Sequence, residues 1–256
     1  MNATAEECQK MALKEFGSMH QYGKGVEEAF FEAIDDYFTT FEVHNLRKFN
    51  YDYDAVIEDL RKRSEVDFNV LQYWTLATNT SLEAGKALDF WGGLYEAYMQ
   101  SAGKARAFAQ FFTPVSVAEL CAKVAETGRD GVYNDPACGS GRLLLAHFTT
   151  VDKSRFHYYV GEDLDEQSCK MCALNMMMNG MFGQVIKQNT LTQEVYWGVE
   201  INEGMYPLPG GLPTLRLMSV DEAAASRAKR AERAAKRAYA KEEKNDRPQQ
   251  SGRNLF

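Results

Sequence analysis

No apolar run in this 256-residue chain approaches the roughly 20 residues needed to cross a bilayer. No apolar stretch follows basic residues at the amino terminus, as a secretion signal would require. The expectation is a cytoplasmic protein. Cysteine is scarce and odd in number: Cys8, Cys121, Cys138, Cys169 and Cys172 show no disulfide-framework spacing, which fits a reducing compartment. Zinc would need a second ligand pair beside Cys169-x-x-Cys172, and the four histidines, His20, His44, His147 and His157, form no such cluster. A redox pair would open a helix straight after a strand, and this one does not clearly do so. Small apolar residues one helical turn apart account for the pair. Proline is sparse too, with six residues and no two adjacent.

What is present is ordinary in bulk: 45% hydrophobic and 25% charged residues, enough for a good-sized core. The formal charge of −7 is unevenly spread. Residues 221–256 hold ten Lys/Arg against six Asp/Glu, a balance of +4, which leaves −11 on the preceding 220 residues. Such an acidic body is not a self-sufficient DNA-binding surface, because duplex affinity rests largely on neutralising phosphates.

The periodicity predicts three regions. Residues 1–104 read as helical, with Val26, Ala29, Phe30, Ala33, Ile34, Tyr37, Phe38 and Phe41 painting one helix face. Aromatic stripes of this kind, without interleaved Lys/Arg, predict core packing in preference to base stacking. Residues 105–220 read as α/β: helix 115–126, strand 132–134, helix 143–148, strand 158–161, helix 167–179 and strand 185–188. That alternation predicts a parallel, doubly wound sheet. Residues 195–201 and 214–220 are further strand candidates around a Pro/Gly-rich loop. Residues 221–256 form a basic, Ala-rich tail, helical to about residue 241, which either contacts nucleic acid or a partner or is simply solvated. There is no internal repeat.

The informative stretch is Asp135-Pro136-Ala137-Cys138-Gly139-Ser140-Gly141-Arg142, where a strand gives way to an apolar helix. Small residues let a ligand approach the backbone, and a helix start offers unpaired N–H groups. The spacing is Asp-Pro-x-x-Gly-x-Gly, not the dinucleotide form Gly-x-Gly-x-x-Gly. Upstream lie Asp89-Phe-Trp-Gly92-Gly-Leu-Tyr95-Glu96 and Phe111-Phe112-Thr113-Pro114. Downstream come Tyr159-Val-Gly-Glu-Asp163-Leu-Asp165, a helix carrying Asn175, and Gln188-Asn189-Thr190-Leu191.

With these motifs in order, the chain resembles adenine-N6 DNA methyltransferases, and among them the modification subunits of type I restriction systems. The resemblance implies a shortened, Rossmann-like methyltransferase fold and an S-adenosylmethionine site. It places Phe112, Thr113 and Pro114 against the methionine end of the cofactor. Asp135, Pro136, Ala137, Gly139 and Gly141 form the turn against which methionine and ribose lie, and Asp163 accepts from the ribose hydroxyls. Asn189 stands where the family usually has Asp, its side-chain oxygen facing the adenine amino group without the charge. The family's catalytic Asn/Asp-Pro-Pro-aromatic motif, which holds a flipped base, has no counterpart, since no Pro-Pro pair occurs. Asn202 and Tyr206 are the nearest substitutes, in the wrong order and spacing.

Three functions follow. The chain is a cofactor-binding part of a DNA methylation system, reaching DNA through a methyltransferase or specificity subunit that supplies the missing groups. Alternatively, it is a silent module that senses the cofactor or joins a restriction–modification complex. A nicotinamide-dependent oxidoreductase is the remote third, lacking the three-glycine fingerprint.

Overall fold

The computed structural model describes residues 3–101, 113–125, 131–152, 157–202 and 213–226. Six helices come first: α1 (Ala5–Ser18), α2 (Val26–Thr40), α3 (Val43–Lys48), α4 (Tyr53–Arg63), α5 (Glu65–Glu83) and α6 (Phe90–Ser101). Their starts follow from local chemistry. Thr4 and Glu7 cap α1 reciprocally, side chain to backbone in both directions. Asp52 and Ser64 accept from the first-turn N–H groups of α4 and α5.

The α/β part follows as α7 (Val115–Ala125), β1 (Gly131–Asp135), α8 (Arg142–Thr150), β2 (His157–Asp163), α9 (Glu166–Met178), β3 (Gly183–Asn189), β4 (Glu194–Ile201) and β5 (Leu215–Met218). The strands form one sheet in the order β1-β2-β3-β4-β5. As the alternation predicts, β1, β2 and β3 are parallel. The expected parallel sheet does not continue, however: β4 pairs antiparallel with β3, and β5 antiparallel with β4. Only residues 190–193 join β3 to β4, and a parallel crossover needs a dozen residues or more. Every strand after β1 is added on the same side, so a second winding beyond β1 is not found among the described residues.

Nine of the 13 residues of α9 are buried, on all sides of the helix. A helix without a polar face must be covered all round. The sheet covers it through β2 and β3, and α2 and α6 pack on it from the opposite side. The helical layer and the sheet therefore share one core, running from Phe16, Phe30, Tyr37, Trp74 and Trp91 through Leu144, Cys172 and Met176 to Tyr159, Val185 and Val199. The aromatic stripes are core, as their composition predicts: Trp74 and Trp91 are fully buried and meet edge to face at 5.3 Å. Among the described residues, no helix is long and apolar enough to cross a membrane.

Candidate functional site

The carboxyl ends of β1, β2 and β3 lie side by side, and the glycine turn leaves β1 at that edge. Gly139 and Gly141 have φ of +52° and +90°, the left-handed region that glycine adopts without penalty. At Gly141 a side chain is also excluded, because a Cβ would stand 2.8 Å from the Sγ of Cys172. The turn is pinned from both sides. Cys138 N–H donates to the Glu162 carbonyl (2.9 Å), Gly139 N–H donates to Asp163 Oδ2 (2.9 Å), and Thr190 Oγ1 donates to the Pro136 carbonyl (2.9 Å). Asp163 also accepts from Asp165 N–H through Oδ1 (3.0 Å). The acid expected on the ribose thus already closes the turn, keeping further lone pairs for a ligand.

Asp135 ends β1. Its Oδ1 accepts from Ala137 N–H (3.2 Å), whereas Oδ2 is buried and has no hydrogen-bond partner. Burial raises the Asp135 pKa, with the Ala137 N–H opposing and the Asp163 and Glu162 carboxylates adding to the rise. An orphaned buried carboxylate oxygen calls for a donor, preferably a cationic one. Nearby, α8 starts at Gly141, which has no side chain to cap the first turn.

Below the turn is a second, fully paired cluster. Asp89 accepts from Ser140 Oγ (2.8 Å), Arg142 Nε (2.8 Å), Asn175 Nδ2 (2.8 Å) and Gly92 N–H (2.9 Å). Arg142 also meets Glu96 with two nitrogens (3.0 and 2.8 Å) and the Thr113 carbonyl (3.0 Å). One guanidinium therefore ties α6, the start of α7 and the glycine turn together. Gly92 is obligatory here, since a Cβ would lie 2.3 Å from Ser140 Oγ. Burial raises the Asp89 pKa, although Arg142, Ser140 and Gly92 N–H all pull it down.

Two expectations change with the geometry. Asn189 Oδ1 accepts from Leu191 N–H (3.1 Å) and Thr192 N–H (3.2 Å), so its oxygen serves its own turn and its NH2 is the group left for a ligand. Asn202 is fully buried at the wrong end of the sheet. Because β4 runs back along β3, with Ile201 opposite Gly183, Asn202 lies about six strand residues, or ~20 Å, from the carboxyl edge. Its amide donates to the Met177 and Met181 carbonyls (3.0 and 2.9 Å) and accepts from Thr214 N–H (3.0 Å). Phe112 and Tyr206 lie outside the described residues. Thr113 and Pro114 lead into α7, and the Thr113 carbonyl is the Arg142 contact. Cys169 and Cys172 are buried core thiols, and burial raises the Cys169 pKa.

A family model described as N-6 DNA Methylase matches residues 86–202, from just before Asp89 to just past β4. Over those residues the chain is similar to N-6 DNA methylases. The chain is 32% identical over 117 residues to the type I restriction enzyme MpnII methylase subunit of Mycoplasma pneumoniae, covering 41% of this chain and 21% of that protein. It is 29% identical over 72 residues to the MjaVIII methylase subunit of Methanocaldococcus jannaschii, covering 28% of this chain and 12% of the relative. The chain thus spans about a fifth or less of the curated relatives it matches. A solved modification subunit of a type I restriction enzyme from Vibrio vulnificus aligns at 16% identity and a TM-score of 0.34, covering 49% of this chain and 28% of that one. That superposition is too loose to define a common fold. The α/β architecture of residues 86–202 rests on their own strand order and pairing.

Proposed function

We propose that residues 86–202 bind S-adenosylmethionine across the carboxyl ends of β1–β3, and that this chain does not methylate adenine unaided. The unpartnered Oδ2 of Asp135 carries the first half. An ammonium on the methionine end of the cofactor is the donor this oxygen lacks, and the uncapped start of α8 suits the neighbouring carboxylate. Asp163 and the Asn189 amide group offer an acceptor and a donor for the ribose and the adenine. Bound there, the cofactor would supply an electrophilic methyl group. The residues of this chain orient it: the glycine turn admits it, and the Asp89–Arg142 cluster keeps the turn in shape.

The second half rests on Asn202, whose amide is spent on backbone partners far from the strand ends. Among the described residues at the crevice there is no acceptor pair with a stacking ring to hold the amino group of a target base. A partner subunit that reaches DNA would supply them. Titration calorimetry with S-adenosylhomocysteine tests the cofactor site. Wild type binds, while Asp135→Asn binds at least tenfold more weakly with little change in unfolding; no heat from wild type overturns the assignment. Incubation with methyl-labelled cofactor and adenine-containing duplex DNA should leave the DNA unlabelled. Label in adenine would refute the second half alone.

A further inference from the structure

The turn from β3 to β4 engages both oxygens of Asn189. Its Oδ1 accepts from Leu191 N–H (3.1 Å) and Thr192 N–H (3.2 Å), and its carbonyl accepts from Gln193 N–H (2.6 Å). Two N–H donors on one side-chain oxygen also fix which way the amide lies. Turned over, the NH2 would face both of them, donor against donor. Leu191, at the tip, is 95% exposed, so hydrogen bonds and not packing hold this turn. Asn189 therefore presents Nδ2 to its surroundings, and among the described residues that nitrogen has no acceptor.

The strand register places this donor. Asp163 pairs with Lys187, so Asn189 lies two residues further along the neighbouring strand, on the same face of the sheet. One strand spacing and two residue rises set their Cα atoms ~8 Å apart. A nucleoside whose ribose hydroxyls sit at Asp163 reaches that distance with the far edge of its base. In a purine riboside the far edge carries the substituent on carbon 6. An amino group there, as in adenine, is a donor; an oxo group, as in hypoxanthine, is an acceptor. A donor that meets a donor stays unpaired, whereas a donor that meets a carbonyl makes a hydrogen bond.

We propose that Asn189 sets the base preference of this site, which holds a 6-oxopurine at least as tightly as a 6-aminopurine. The proposal rests on the cofactor assignment, because Asp135 and Asp163 anchor the rest of the ligand. Aspartate at this position would reverse the preference. One carboxylate oxygen would keep the Leu191 and Thr192 N–H groups, and the other would turn an acceptor toward the base.

Titration calorimetry with two ligands tests this. S-adenosylhomocysteine and S-inosylhomocysteine differ at carbon 6 and in the adjoining ring proton. Wild type should bind the inosyl ligand as tightly as the adenosyl one, or more tightly. Asn189→Asp should lower the inosyl-to-adenosyl affinity ratio about tenfold or more, since a site built for one hydrogen-bond pattern rejects the other. Its melting temperature should hold, because the turn keeps both acceptors. A wild type that binds the adenosyl ligand more tightly overturns the proposal and leaves the cofactor site standing. So does a ratio that Asn189→Asp leaves unchanged or raises. Heat from neither ligand overturns the cofactor assignment, and this proposal with it. The wild-type comparison needs no variant and decides alone if Asn189→Asp fails to fold.

Discussion

Asp89 and Asp135 flank the same glycine turn, and both are buried, yet they have opposite surroundings. Asp89 is met by four donors, one of them an arginine that is itself held by Glu96. Asp135 has one backbone donor and a second oxygen with none. Leaving a buried polar group unpaired costs about 1–3 kcal/mol, more for a charge. A fold that tolerates this at one carboxylate while satisfying every oxygen of the other separates a frame from a mouth. The frame lies below the turn, where α6, α8 and α9 converge; the mouth lies above it, at the strand ends.

The sharpest way to break that distinction is to remove each carboxylate in turn. Asp89→Ala strands Ser140 Oγ and the Gly92 N–H, takes one of two acceptors from Asn175 Nδ2, and removes one of the two carboxylates that hold Arg142. Removing one partner of a buried pair costs about 3–5 kcal/mol, so urea or thermal unfolding should show a loss of that size. Asp135→Asn should cost about 1 kcal/mol or less, since the oxygen it alters has no partner to lose. Equal losses would erase the division between frame and mouth.

Asn202 belongs to the frame by the same criterion, although its place in the sequence suggested the chemistry. It adopts φ of +58°, and its amide makes three hydrogen bonds that tie β4 to the end of α9 and to Thr214. Asn202→Ala loses those bonds and strains the backbone, for about 2–3 kcal/mol in all. Calorimetry with S-adenosylhomocysteine, run below the lowered melting temperature, should show affinity within about twofold of wild type. Weaker binding without lost stability would move Asn202 into the mouth.

The mouth was more legible in the sequence than the frame, and the reason is distance along the chain. The turn from Asp135 to Gly141 is a local device: left-handed φ demands glycine, and the following helix declares itself by its apolar run. The parallel strands announce themselves through the intervening helices. The frame joins Asp89 to Arg142 across 53 residues and to Asn175 across 86, and no local pattern marks such pairs. Arg142 in particular looks like an ordinary first-turn arginine until its partners are seen. The reversal of β4 was readable, because four residues cannot carry a crossover. That the Asn189 oxygen would bend back onto Leu191 and Thr192 was decided by the turn beyond it, an Asx arrangement that competes with any ligand.

Two further effects lie at the margins of the two regions and have opposite pH signs. In the helical layer, burial, with Asp36 adding to it, raises the Asp67 pKa to about 6 from 3.8. Its contribution to stability is complete below pH 3.8 and is lost as pH rises through 6. Asp67→Asn should therefore stabilise the protein at pH 8, by roughly 2 kcal/mol, and confer no advantage below pH 4. Beside the mouth, hydrogen bonds from Lys170 and Lys187 lower the Glu166 pKa from 4.5 to about 2. That contribution is complete above pH 4.5 and is lost as pH falls through 2. The Glu166 side chain is 43% exposed, so solvent screening limits its worth to about 1 kcal/mol or less. Unfolding curves between pH 2 and 8 separate the two: Glu166→Gln should flatten the acid limb and Asp67→Asn the limb above pH 4. If Asp67→Asn instead lowers stability at pH 8, the burial of Asp67 is offset by contacts it makes as an anion, and the helical layer carries a paired charge like that of Asp89.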